Sequence, residues 1–201
     1  MEQVLQNTKL GLKLPSDPRW VNMAEMDLGE ILTDHAYCEQ KAATACITLI
    51  QAYPERIELV EELAPVVTEE WGHFRMVLME LKKRNLQLGR QRKDEYVNEL
   101  LKFQKKGLSR EEALLERLLT CALIEARSCE RFRLLSLHCS DGDLREWYHK
   151  FMVAEASHYK MFIGLAEAYF GKEKTWARWQ EYLLYEASIM DTLELRGDRM
   201  H

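Results

Sequence analysis

Proline is scarce in this sequence, with four in 201 residues and none after Pro65, and glycine is limited to nine. So little turn chemistry excludes a hairpin-rich β fold, a collagenous chain and a low-complexity linker. The five cysteines (Cys38, Cys46, Cys121, Cys129 and Cys139) are an odd number and contain no CxxC pair. That excludes a regular disulfide framework and a thiolate metal module, and the cysteines read as reduced thiols. No apolar run approaches the roughly 20 residues of a membrane span, and Met1 to Trp20 lacks the apolar core of a signal peptide. The expectation is a cytoplasmic protein with no membrane partner. Positive charge is not in excess either: Lys and Arg number 28 against 33 Asp and Glu, a formal charge of −5, so nothing at whole-chain level demands a nucleic acid.

What is abundant is helix-forming sequence, with 47% hydrophobic residues recurring at three- and four-residue spacing between a few glycines. This pattern predicts long helices over about 23–52, 55–87, 109–139 and 142–170, and shorter ones near 94–105 and 173–188. Ser109 followed by Glu112 is a capping-box signature for the third long helix, and Asp141 or Ser140 can cap the fourth. Pro65 must kink the second helix or open a new one. Tight turns at Tyr53-Pro54 and at Ser140-Asp141-Gly142 fold the long helices into two antiparallel hairpins. The segment between the hairpins, residues 88–108, reaches roughly 45 Å if about half of it is helical. That is a crossover as long as the helices themselves. The expected fold is all-α, a single domain over 1–201 of ferritin-like four-helix-bundle type, with a long crossover and additional short helices.

Chemistry enters through a doubled motif. Glu70-Trp71-Gly72-His73 and Glu155-Ala156-Ser157-His158 each place a carboxylate and an imidazole on one helix face. Each is preceded, 31 and 30 residues upstream, by a glutamate among apolar neighbours: Glu39 near Leu32, Ala36, Ala43 and Cys46, and Glu125 near Leu118, Ala122, Cys129 and Phe132. The likeness extends to the flanks, since Glu70-x-Gly-His-Phe74-Arg75 parallels Glu155-x-Ser-His-Tyr159-Lys160. The midpoints of 39/70 and 125/155 fall at the two turns, so both carboxylate pairs lie level within their hairpins. A third ExxH, Glu146-Trp147-Tyr148-His149, fails this test and is assigned to solvent. Four interior glutamates would each cost several kcal/mol unless paired or bound to a cation. Glu39, Glu70, His73, Glu125, Glu155 and His158 are the ligand set of a di-iron or di-manganese carboxylate bundle. His35, one turn before Glu39, is read as a satisfied core or surface histidine in preference to a donor behind Glu39. Tyr37, Tyr159 and the nearby cysteines are read as core packing.

Charge is unevenly distributed. Residues 82–110 hold ten Lys or Arg against Asp94, Glu95 and Glu99, a net of +7 that leaves −12 for the rest. A basic connection on an acidic protein is either the footprint of a phosphate backbone or a solvated lysine-rich loop.

The run Leu14-Pro15-Ser16-Asp17-Pro18-Arg19-Trp20, the stretch Asp34-His35-Ala36-Tyr37-Cys38-Glu39-Gln40-Lys41-Ala42-Ala43, the two ExxH motifs and the tail Arg196-Gly197-Asp198-Arg199-Met200-His201 together resemble the tRNA 2-methylthio-N6-isopentenyladenosine hydroxylase family. The likeness covers nearly the whole chain. It implies a bacterial non-haem di-iron monooxygenase: two iron ions held by the six residues above, dioxygen as co-substrate, and an external electron donor delivered by a separate reductase or electron carrier. The implied substrate is the isopentenyl group of a hypermodified adenosine beside the tRNA anticodon. The apolar residues Val66, Val67, Phe74, Phe132, Phe151 and Phe162 are expected to surround the prenyl tail. Basic residues of 82–106, or Arg127, Arg131 and Arg133, are expected to contact phosphates. Two other readings share the ligand set, an iron-binding or storage bundle and a di-iron oxidase of a small or acyl substrate; a metal-free helical scaffold has to account for the interior glutamates. The sequence does not fix the oligomeric state.

Overall fold

The computed structural model describes residues 10–201, and among these it contains seven helices and no strand. They are α1 (Arg19–Met26), α2 (Leu28–Ala52), α3 (Ile57–Lys83), α4 (Glu95–Phe103), α5 (Arg110–His138), α6 (Gly142–Phe170) and α7 (Lys172–Thr192). The described residues form two compact units, one of residues 19–93 and 196–200, the other of residues 10–18, 94–195 and His201.

The first unit is built on the α2–α3 hairpin. The first long helix begins at Leu28, five residues later than the periodicity suggests, because the Asp27 carboxylate accepts the Glu30 amide at 3.1 Å and caps a new helix. The preceding residues form the separate α1, which sequence periodicity missed. Pro65 lies inside α3 and neither ends it nor starts a new one. At its other end α3 stops at Lys83, earlier than expected, since Asn85 adopts a left-handed φ of 58° and the Leu86 amide returns to the Leu81 carbonyl at 2.9 Å. The outer face of α2 then carries two strapped segments. Gly89 donates its amide to Thr33 Oγ1 at 3.1 Å and accepts from Tyr37 Oη at 3.0 Å. The C-terminal run is tied by Met200 N to Asp34 Oδ2 at 2.9 Å, by Trp20 Nε1 to the Arg199 carbonyl at 3.0 Å, and by Arg92 to Asp198 at 2.9 Å. Gly197 approaches Met23 so closely that a Cβ there would sit 2.4 Å from its backbone.

The second unit is the α5–α6 hairpin with α4 and α7 packed on it. Ser109 and Glu112 form the capping box that opens α5, and the Asp141 carboxylate accepts the Asp143 and Leu144 amides to open α6. Helix α5 is buried on several sides: Leu114, Leu118, Leu119, Ala122, Leu123 and Ala126 are fully enclosed. Each enclosed leucine contributes about 1.5–3 kcal/mol by its removal from water. The same helix also buries charge. Arg127 is fully enclosed; it donates to Glu186 Oε1 at 2.8 and 2.5 Å, to Glu130 Oε2 at 2.6 Å and to the Leu14 carbonyl at 2.9 Å. Ser16 completes the network, giving its amide and hydroxyl to Glu130 at 2.8 and 2.6 Å. None of the five cysteines forms a disulfide. No helix among the described residues is long and apolar enough to cross a membrane.

Candidate metal centre

The α2–α3 hairpin brings Glu39, Glu70 and His73 together. Residues 39 and 70 stand level because both are about 15 residues from the turn, and the ExxH spacing puts His73 one turn above Glu70 on the same face. Glu39 is 3% exposed and Glu70 1%. His73 Nδ1 lies 3.3 Å from Glu39 Oε2 and 3.4 Å from Glu70 Oε2, so one nitrogen faces two carboxylates. One ligating atom from each of the three lies within 4.8 Å of the others. Burial pushes the Glu39 carboxyl well above its ordinary range, and the neighbouring Glu70 charge pushes the same way. Burial alone would lower His73, but its hydrogen bonds to Glu39 and Glu70 overcome this and raise it to about 10. A cluster that raises an imidazole this far is one that calls for a cation.

Behind Glu39 stands His35, fully enclosed, with Nε2 2.6 Å from Glu39 Oε1. Burial, with the nearby His73, pushes this imidazole down to about 3. Of the two readings of His35, a satisfied core or surface histidine and a donor behind Glu39, the surface option is excluded: the side chain is buried and hydrogen-bonded to a candidate ligand. Tyr37 and Tyr159 fill packing positions, Tyr37 holding the Gly89 loop and Tyr159 lying 5.9 Å from the Trp179 ring.

The α5–α6 hairpin repeats the arrangement with Glu125, Glu155 and His158, exposed by 5%, 3% and 3%. One ligating atom of each lies within 4.8 Å of the others, and His158 Nδ1 is 3.9 Å from Glu125 Oε2. Cys121 occupies the position one turn before Glu125, and burial, reinforced by the Glu125 charge, pushes its thiol up to about 12. Its sulfur does not join the group of converging ligand atoms. The third ExxH behaves as the height test requires, with Glu146 and His149 exposed. Its upstream counterpart Glu116 is instead engaged by Arg178, at 2.7 Å. Each triad thus supplies two carboxylates and one imidazole in a buried setting, a donor set suited to iron or manganese.

A family model described as tRNA-(MS[2]IO[6]A)-hydroxylase (MiaE) matches residues 3–201. The chain belongs to this family. A Pseudomonas putida relative named tRNA 2-(methylsulfanyl)-N(6)-isopentenyladenosine(37) hydroxylase is 33% identical over 183 residues, which are 91% of this chain and 86% of the relative. A Salmonella typhimurium protein of the same name is 25% identical, over 82% of this chain and 78% of its own. Among solved structures, "Protein 43 with aldehyde deformylating oxygenase activity from Synechococcus" superposes with a TM-score of 0.88 at 34% identity, covering 94% of each chain. The fold is accordingly an all-α, ferritin-like four-helix bundle. In this member of the MiaE family, the sequence segments flanking the site turn out to be fasteners: Leu14 and Ser16 are gripped by Arg127 and Glu130, and the tail by Asp34 and Arg92.

The expected phosphate contacts are partly corrected. Arg127 and Arg131 are 0% and 3% exposed, so neither can reach a polyanion outside the protein. Within the basic connection, Arg84 is paired to Glu80 at 2.6 Å and Arg92 is held by Glu30 and Asp198. Lys82, Lys83, Arg90 and Lys93 remain exposed on the first unit. Val66, Phe74, Phe132, Phe151 and Phe162 are buried, with the Phe132 and Phe151 rings tilted against each other at 5.4 Å, and Val67 is half-buried.

Proposed function

We propose that this protein is an oxygen-dependent, non-haem di-iron monooxygenase that hydroxylates the isopentenyl group of 2-methylthio-N6-isopentenyladenosine next to the tRNA anticodon. Membership of the MiaE family along residues 3–201 carries this reading. The two buried Glu/Glu/His triads support it, because they are what the chemistry needs. In this reading both units form one ferritin-like domain, and Glu39, Glu70 and His73 with Glu125, Glu155 and His158 would hold two irons.

Iron held by these six residues would supply the reduction of dioxygen, and the hydroxylation puts one oxygen atom into a C–H bond of the prenyl group and releases the other as water. The balance requires two electrons and two protons, and no flavin or iron–sulfur motif exists in the chain, so a separate reductase or electron carrier provides the electrons. The protein's own residues position and shield. The glutamates neutralise the cations, the two histidines hold neutral nitrogen toward them, and Val66, Phe74, Phe132, Phe151 and Phe162 keep water out and give the prenyl tail an apolar surface. No protein nucleophile takes part. Lys82, Lys83, Arg90 and Lys93 supply phosphate contacts, so replacing Lys82 and Lys83 by alanine is expected to weaken tRNA binding and make its salt dependence shallower by about one unit of slope per lost contact. Unchanged binding removes the basic segment from the interface.

The deciding experiment is a single turnover: anaerobically reduced, iron-loaded protein is mixed with prenylated tRNA and oxygen, and the nucleosides are analysed by mass spectrometry. One added oxygen atom, absent in Glu70→Ala and His158→Ala, is the expected result. Two irons per chain and oxygen consumption without that mass gain would overturn the tRNA assignment and move the substrate to the small-molecule class.

A further inference from the structure

The two triads match in their ligands but not in what stands behind them. Counting one helical turn back from the outer glutamate gives His35 before Glu39 and Cys121 before Glu125. The i, i+4 relation places each of these side chains against the carboxylate that follows it. In the first hairpin the result is a division of labour between the two oxygens of Glu39. Oε1 is 2.6 Å from His35 Nε2, and Oε2 is 3.3 Å from His73 Nδ1, on the side where Glu70 Oε2 also points. A carboxylate bound to a cation carries no proton, so the hydrogen in the 2.6 Å contact belongs to His35 Nε2 and the imidazole is the donor.

We propose that His35 is a positioning residue: by donating Nε2–H to Glu39 Oε1 it holds that carboxylate to single-oxygen ligation through Oε2, and makes the α2–α3 metal position the tighter of the two. This rests on the di-iron reading above. His35 cannot swing out to solvent, because its side chain is fully enclosed. A thiol is a far weaker donor than an imidazole N–H, so Cys121 cannot hold Glu125 in the same way. Outer hydrogen bonds of this kind commonly change metal affinity by about 10- to 100-fold, which sets the size of the expected asymmetry.

The test is anaerobic Fe(II) binding to the whole protein, measured by equilibrium dialysis and by near-infrared circular dichroism, which reports the coordination of each ferrous ion. The wild type is expected to bind two ions. His35→Leu should weaken one of them by about 10- to 100-fold and shift one set of ligand-field bands, leaving the other ion unchanged. His35→Gln, which retains an N–H donor of similar reach, should recover most of the affinity and the original bands; Cys121→Ala should alter neither. Folding of each variant is checked by far-ultraviolet circular dichroism, and if His35→Leu does not fold, His35→Gln and His35→Asn carry the comparison, since the shorter asparagine cannot span the turn. Two ions bound by the leucine or asparagine variant with unchanged affinity and spectrum would overturn the role of His35. Failure of the wild type to bind two ions would instead overturn the di-iron reading itself.

Discussion

The two hairpins share a Glu/Glu/His plan and differ in how it is supported. In the α5–α6 unit the turn next to Glu125 carries a closed ionic network, Arg127 with Glu130 and Glu186, sealed by Ser16 and fully inside the protein. In the α2–α3 unit the support is an enclosed histidine on the inner side of α2 and, on its outer side, two straps joined by partly exposed ion pairs. A repeat in sequence therefore prescribes which carboxylates and imidazoles converge, whereas the layer behind them is solved separately in each half. Buried charge makes the second unit sensitive to losing one partner; the straps make the first sensitive to local geometry.

The largest break in this comparison comes from Arg127→Leu. It leaves Glu130 and Glu186 buried without their cation and is expected to cost about 3–5 kcal/mol, read from urea unfolding. A loss under about 1 kcal/mol would show that the network is solvated. Next is Gly197→Ala in the first unit, where the added Cβ meets the Met23 backbone at 2.4 Å. Refitting the tail is expected to cost about 1–3 kcal/mol and to raise hydrogen exchange in residues 196–200 while sparing α5. Equal protection in both proteins would mean that the strap is not a fastener. At the N-terminus of α5, Ser109→Ala removes the capping box and should cost about 1 kcal/mol. Smallest of all, Glu146→Gln in the exposed ExxH should change stability by less than about 0.5 kcal/mol and leave metal binding untouched.

A pH scan sharpens the contrast further. In metal-free protein His73 is raised from an unfolded value near 6.5 to about 10, chiefly through Glu39 and Glu70 working against burial. A raised imidazole contributes stability that is complete below about pH 6.5 and is lost as pH climbs to about 10. Thermal midpoints should fall across that window, and His73→Gln should flatten the fall. An equally steep decline in the variant would place its origin elsewhere.

Much of this was legible from residue spacing. Four long helices, two hairpins, the capping box at Ser109 and both Glu/Glu/His triads follow from periodicity and from distances to the turns, because helical geometry converts sequence separation directly into position on a face. The rejection of Glu146 and His149 came from the same rule. Helix ends were less legible: Asp27 and Asn85 each interrupt an apolar pattern that continues past them, and a cap or a left-handed residue overrides periodicity. Whether His35 is core or surface was not legible although it is only four residues from Glu39, since an i, i+4 His–Glu pair looks the same on a solvated face as on an enclosed one.

By itself, then, the sequence determined the helical plan, which glutamates and histidines converge in each hairpin, and the family. Tertiary structure alone decided that Arg127 and Arg131 lie inside and not on a tRNA-facing surface, that Ser16 meets Glu130 across 114 positions, and that Met200 meets Asp34 across 166. The reason is physical: a contact within one helix is fixed by a constant rise and turn per residue, but a contact between distant segments is fixed by which buried groups must find partners once the chain has packed.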